Sequence, residues 1–147
     1  MELYSLPHHF NIDLALIIYH ITHMGIAFLL ALPIAWDREQ ESRSAGLRTF
    51  PLVSVASCSF ALIALSFSDS PDAQGKILSG IITGIGFIGG GAIVKAGDGV
   101  NGTATAAGIW ITGAIGIAIA MKYIAMAVAM CLFTLFVYLV LGKFKKS

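Results

Sequence analysis

Charge is scarce in this sequence. Lys, Arg, Asp and Glu together make up 12% of the 147 residues, against about 25% in a typical soluble domain. Hydrophobic residues reach 57%, and a soluble domain of this size has no interior large enough to hide them, so the excess must face lipid. A basic surplus is missing too: the net charge of +1 leaves no broad cationic patch for nucleic acid. Cysteine is limited to Cys58 and Cys131, both inside apolar runs. Two thiols make no disulfide framework, and a metal site would need more Cys or His nearby, so both read as small apolar filler. No nucleophile elbow, no H-E-x-x-H and no acid–base pair in a plausible pocket is evident. A non-enzymatic protein without a cofactor is therefore expected. The opening stretch MELYSLPHHFNID holds no Lys or Arg, whereas a secretory leader begins with a basic segment, so the first apolar run is expected to be retained as a span.

What remains is long apolar runs. A bilayer core of about 30 Å takes about 20 helical residues to cross. Five runs qualify or come close: Leu14–Trp36, Pro51–Phe67, Ile77–Val94, Thr103–Met121 and Tyr123–Leu141. The last two are separated only by Lys122, which predicts a tight turn, with one very long fused helix as the alternative. The expected fold is an all-α membrane bundle of five spans forming a single domain. Seven of the nine basic residues (Arg38, Arg43, Arg48, Lys95, Lys143, Lys145 and Lys146) fall on one side of that arrangement, and Lys76 and Lys122 on the other. The basic side is the cytoplasmic one, which puts the N-terminus outside and the C-terminal tail in the cytoplasm.

Within the third run, Gly84-Ile85-Gly86-Phe87-Ile88-Gly89 has the form of the G-x-G-x-x-G dinucleotide fingerprint. That motif needs a helix after it and an acidic residue about 20 positions on. Here Gly90 and Gly91 follow, and the chain 20 residues later reads GIWIT, so the nucleotide reading fails. Gly80 and Gly84 are four apart, as are Gly86 and Gly90, and the fourth run carries Gly108, Thr112 and Gly116. Small residues at that spacing let helix backbones approach. These two spans are expected to pack together, with Thr83, Thr105 and Thr112 hydrogen-bonding across. The run Gly89-Gly90-Gly91 is expected to break the third helix, because glycine is about 1 kcal/mol worse than alanine in a helix interior; such a break either packs against protein or lines an ion path.

Between the first two runs lies WDREQESRSAGLRTF. Charges held at the edge of an apolar run usually pair, so Asp37 and Arg48 are expected to bridge the base of the hairpin, while Arg38, Glu39 and Glu41 fit a plain interfacial loop. The segment KAGDGVNGT, residues 95–103, reads as a turn-rich loop with Thr103 capping the fourth span. Asp98 is placed to reach Arg43 or Arg48, so that Asp37, Arg43, Arg48, Thr49, Asp98 and Asn101 form a candidate polar cluster at the cytoplasmic face. On the first span Asp13, His20 and His23 share a helical face. Ionisable groups inside a membrane are functional candidates, so the face is either a proton relay or metal site or neutral, hydrogen-bonded packing. Ser54, Ser57 and Ser59 read as interhelical contacts.

Three segments together resemble the MgtC/SapB family of bacterial membrane proteins. They are Asp37-Arg38-Glu39 with Arg43 and Ala45-Gly46-Leu47-Arg48-Thr49; Gly84-Ile85-Gly86-Phe87-Ile88-Gly89 with Gly91; and Gly102 with Thr105-Ala106-Ala107 and Trp110. They keep the family's order and spacing over residues 37–110. Asp37 stands where that family usually has Glu, Gly90 where it has Ala, and Thr103-Ala104 where Leu-Thr is common. The resemblance implies a multi-pass inner-membrane protein with five spans, linked to growth at low magnesium and, in pathogens, to survival inside host cells. It also implies a regulator whose partner is another membrane complex such as the ATP synthase, with homo-oligomers a further option. The ferredoxin-like cytoplasmic domain of better-known members is missing from this sequence, so activities of that domain are not carried over. The alternative reading is a small carrier or channel for Mg²⁺ or H⁺; only Asp37 and Asp98 offer carboxylates to a magnesium ion, which usually binds through one or two of them.

Overall fold

The computed structural model describes residues 13–41, 45–67, 69–97 and 99–144. It is an all-α bundle of five long helices: α1 (Leu14–Glu41), α2 (Thr49–Phe67), α3 (Pro71–Gly91), α4 (Thr103–Ala120) and α5 (Ile124–Phe136). A short antiparallel hairpin, β1 (Val94–Ala96) and β2 (Gly99–Asn101), joins α3 to α4. α5 continues through a π-helical turn, Val137–Leu141, into a last helical turn, Gly142–Phe144. Among the described residues four stretches are long and apolar enough to cross a membrane: Leu14–Glu41, Thr49–Ser66, Thr103–Ala120 and Ile124–Leu141. The chain is a multi-pass membrane protein. α3 has 21 residues, but its first turns, from Pro71 to Lys76, are polar.

The helices are not coextensive with the apolar runs. α1 runs on through Asp37-Arg38-Glu39 to Glu41, since straight-chain and charged residues after Trp36 are no obstacle to a helix. α3 starts six residues before Ile77, with Ser70 as N-cap and Pro71 at the first helical position, where a missing N–H costs nothing. It ends at Gly91: the N–H of Ala92 returns to Gly89 O at 3.0 Å and that of Ile93 to Gly90 O at 3.1 Å. Gly89-Gly90-Gly91 is thus the final turn of α3: the expected interruption at these glycines is the end of the helix and not a kink within a span.

α4 is the centre of the bundle. Ten of its 18 residues are buried, and α1, α2, α3 and α5 all pack on it, as expected for a helix apolar all the way round. Its small residues set the distances. A methyl group on Gly116 would collide with the carbonyl oxygen of Ser54 in α2 and lie 3.0 Å from the backbone nitrogen of Cys58. α1 turns Ala27, Ala31, Ile34 and Ala35 inward. Its carbonyls are also used: Ser54 Oγ donates to Ala27 O at 3.0 Å and Cys131 Sγ to Leu30 O at 3.2 Å. Both cysteines are free and buried.

The turn after α4 is tight, and the fused-helix alternative is excluded. Lys122 takes φ +64°, the N–H of Tyr123 bonds to Ala118 O at 2.8 Å and that of Lys122 to Ile119 O at 3.0 Å. This is a Schellman ending with lysine in the left-handed position that glycine usually takes. At the other end of α4, Thr103 is not the cap. Gly102 is, with φ +88° and no side-chain hydrogen bond. A Cβ there would meet Ala92 O and be strained besides, so only glycine lets the hairpin close on the helix start.

Candidate functional site

The charged end of α1 is where the polar side chains gather. Arg38 lies eleven residues after Ala27 on the buried stripe of α1, and it points into the bundle, not out of it. Its Nε donates to Asp37 Oδ2 at 2.9 Å, and a second guanidinium nitrogen meets the same oxygen. The two side chains are only 11% and 14% exposed. The guanidinium carbon sits 4.0 Å from the centre of the Tyr138 ring, within cation–π range. The Tyr138 hydroxyl in turn donates to Ala104 O in the first turn of α4 at 2.7 Å. Tyr138 lies in the π-helical turn, a one-residue widening that rotates the side chains after it. Gly108 leaves room for this arrangement: a Cβ there would strike the Tyr138 hydroxyl and approach the Phe50 ring at 2.8 Å. Three helices, α1, α4 and α5, are therefore tied at one end by a salt bridge, a stacked cation and a hydrogen bond.

This differs from the expected cluster. Asp37 pairs with Arg38, not with Arg48, because α1 continues as a helix and keeps both residues on it. Arg48 is exposed and makes no ion pair or hydrogen bond with a described residue. Thr49 is half-buried at the start of α2, and Asn101 is exposed on β2 opposite Val94; neither side chain bonds to Asp37. Arg43 and Asp98 lie outside the described residues. Glu39, which reads as a plain loop charge, closes the α1–α2 connection. Its Oε2 accepts the N–H of Leu47 at 2.9 Å, and Gly46 packs so closely on it that a Cβ would strike that oxygen.

The glycines of α3 also point elsewhere than expected. α3 does pack on α4, but through Ile85 and Gly89, its two buried residues. Ile85 fills the space over Gly113, with Cγ1 3.1 Å from where a Cβ would be, and Gly89 lies 3.0 Å by the same measure from Ala106 O. Gly80, Gly84, Gly86, Gly90 and Gly91 have nothing within 4 Å of a built Cβ. On α4, Gly108 and Gly116 face Phe50 and Ser54 of α2, and Thr105 and Thr112 are buried. The threonines do not bond across helices: Thr83 donates to Ser79 O and Thr112 to Gly108 O, each four residues back. In an apolar setting the nearest acceptor wins, and that is the carbonyl one turn earlier.

The open glycines of α3 create a groove against α2. It encloses about 490 Å³, and its walls include Ala56, Ser57 and Phe60 from α2 and Gly80, Ile81 and Gly84 from α3. Two smaller grooves, of about 310 and 380 Å³, flank the exposed Trp110 of α4.

At the start of α1, Asp13 Oδ1 accepts the N–H of Ala15 at 2.9 Å, the geometry of a helix N-cap. His23 Nδ1 is 2.8 Å from Tyr19 O, and the Tyr19 ring contacts both His20 and His23, with centroids 5.4 and 4.2 Å away. Lys122 of the α4–α5 turn approaches the same ring at 5.9 Å. Asp13 is thus occupied by the helix end and His23 by its own backbone. Among the described residues no three His, Cys, Asp or Glu side chains are grouped to hold a metal ion.

Comparison with known proteins bears on this arrangement. A model of the MgtC family matches residues 24–147. Over 98 residues the chain is 40% identical to Protein MgtC of Salmonella typhimurium strain LT2, a stretch that covers 67% of this chain and 42% of that protein. Protein MgtC of Brucella abortus strain 2308 is 38% identical over 91 residues, 62% of this chain and 38% of the relative. A protein of Synechocystis described as uncharacterized is 33% identical over 96 residues, 65% and 41% of the two chains. The matched stretch thus spans about two-fifths of the length of these relatives. No solved structure matches the chain.

Proposed function

This chain belongs to the MgtC family, and from that premise we propose that it is a non-enzymatic regulator of the bacterial inner membrane, acting in adaptation to low magnesium through helix–helix contact with another membrane complex. The N-terminus lies outside and the tail in the cytoplasm, following the seven-to-two distribution of basic residues. The observation that carries the reading is the open side of α3. Gly80, Gly84, Gly86, Gly90 and Gly91 have free space where a side chain would stand. Glycine weakens a helix by about 1 kcal/mol relative to alanine, and that cost returns a benefit when another backbone comes close.

Affinity purification of the tagged full chain from magnesium-limited bacterial membranes, in mild detergent, tests the proposal. The expected result is one membrane complex recovered in near-stoichiometric amount; the ATP synthase is the candidate that family resemblance suggests. The purified chain in liposomes should move neither Mg²⁺ nor H⁺. Ion flux that Asp37→Asn abolishes would transfer the assignment to a small ion carrier.

A further inference from the structure

We propose that Tyr19, His20, His23 and Lys122 form an acid-sensitive catch between α1 and the α4–α5 turn. When the face of the membrane at which α1 begins becomes acidic, the histidines take up protons, Lys122 leaves the Tyr19 ring, and the first turn of α5 comes away from α1.

The cluster stands where protons reach it. Lys122 carries its charge in the turn between two spans, which places it at the membrane boundary. Its ammonium lies 5.9 Å from the centre of the Tyr19 ring, so Tyr19 and its histidine neighbours share that level. From Tyr19 to Trp36 α1 rises about 26 Å at 1.5 Å per residue, close to the thickness of a bilayer core. His20 and His23 are half-buried, while Tyr19 and Lys122 are exposed.

The geometry sets what a proton does there. His23 Nδ1 is 2.8 Å from Tyr19 O. A carbonyl oxygen only accepts, so the proton of neutral His23 is on Nδ1 and Nε2 is left to take up a second. The Tyr19 ring meets the His23 ring at 4.2 Å and the His20 ring at 5.4 Å. A protonated imidazole is thus a second cation drawn to the ring that already holds Lys122. Neither histidine forms an ion pair with a described residue, so no carboxylate offsets the added charge. The lysine, on a long flexible stem, is the cation free to leave.

Three ties join α1 to the turn and α5: Lys122 on Tyr19, Cys131 Sγ on Leu30 O, and Arg38 on Tyr138. Of these only the first contains histidine, the side chain that changes charge between about pH 5 and 8. The neighbouring elements add little. α2 and α4 hold no Lys, Arg, Asp, Glu or His. Asp13, two turns before His20, is engaged by the N–H of Ala15. Tyr123 follows Lys122 in the turn, and α3, with Asp72 and Lys76, packs on α2 and α4.

The test is the distance between spin labels at Leu16→Cys and Met126→Cys, both exposed positions, in the full chain in lipid nanodiscs. Cys58→Ala and Cys131→Ser remove the native thiols, the serine keeping a donor for Leu30 O. Double electron–electron resonance should give one distance at pH 7.5. At pH 5.5 a second, longer one should appear, its share up about tenfold. With His20→Gln and His23→Gln together, or with Lys122→Met, the distribution should be the same at both pH values. A parent chain whose distances ignore pH would overturn the proposal before any change to the cluster is made. A pH response that survives the histidine or the lysine substitution would overturn it as well.

Discussion

Arg38 shows how much turns on one residue's place in a helix. Its partners are Asp37, the Tyr138 ring and, through the tyrosine hydroxyl, Ala104 O. Arg38→Met would remove the stacked cation and leave the Asp37 carboxylate, itself mostly buried, without its counter-charge. A cost of about 2 kcal/mol is expected, against less than about 0.5 kcal/mol for Arg48→Met at the exposed site. Tyr138→Phe keeps the stacking and loses only the bond to Ala104, for about 1 kcal/mol. Thermal unfolding of the three detergent-solubilised variants should rank the losses as Arg38→Met, then Tyr138→Phe, then Arg48→Met; equal losses from Arg38 and Arg48 would contradict the geometry. The sequence shows that this segment carries charges at a membrane edge, but not which of them turns inward, because the end of an apolar run does not mark the end of a helix. The spacing did hold a signal: Arg38 continues the inward stripe Ala27, Ala31, Ile34 and Ala35.

α4 is the element whose sequence is best explained by its surroundings. A side chain at Gly116 would have to displace the α2 backbone at Ser54, and backbone cannot yield as a flexible side chain can. Gly116→Val should therefore cost more than about 3 kcal/mol or prevent assembly, whereas Gly84→Ala, with open space around it, should be neutral or slightly stabilising through helix propensity. Size-exclusion profiles and melting curves of the two proteins check this; comparable damage from both would mean that the helix contacts are wrongly placed. The small-residue stripes are legible in the sequence, but their neighbours are not. Spacing says that a backbone can approach without saying which, so the stripe on α4 serves α2, and most of the glycines on α3 face open space. The hairpin before α4 was also hidden, since three-residue strands give too short an alternation to read. The turn at Lys122 was readable because one charge divides two apolar runs.

At the scale of the whole molecule the apolar runs carried the fold: five helices in an all-α membrane bundle follow from length and composition. Orientation is open to a direct check. With Cys58 and Cys131 replaced by alanine, Lys122→Cys should react with a membrane-impermeant maleimide added to intact spheroplasts, and Arg48→Cys only after permeabilisation. The reverse pattern would invert the topology. The central place of α4 has a consequence for synthesis. The helix on which the other four pack leaves the ribosome after α1, α2 and α3, so these three are made before the surface they close upon exists. Until α4 arrives, the backbone at Ser54 and the side chain of Ile85 face lipid, and a nascent chain stalled at that point presents a half-built bundle to membrane proteases.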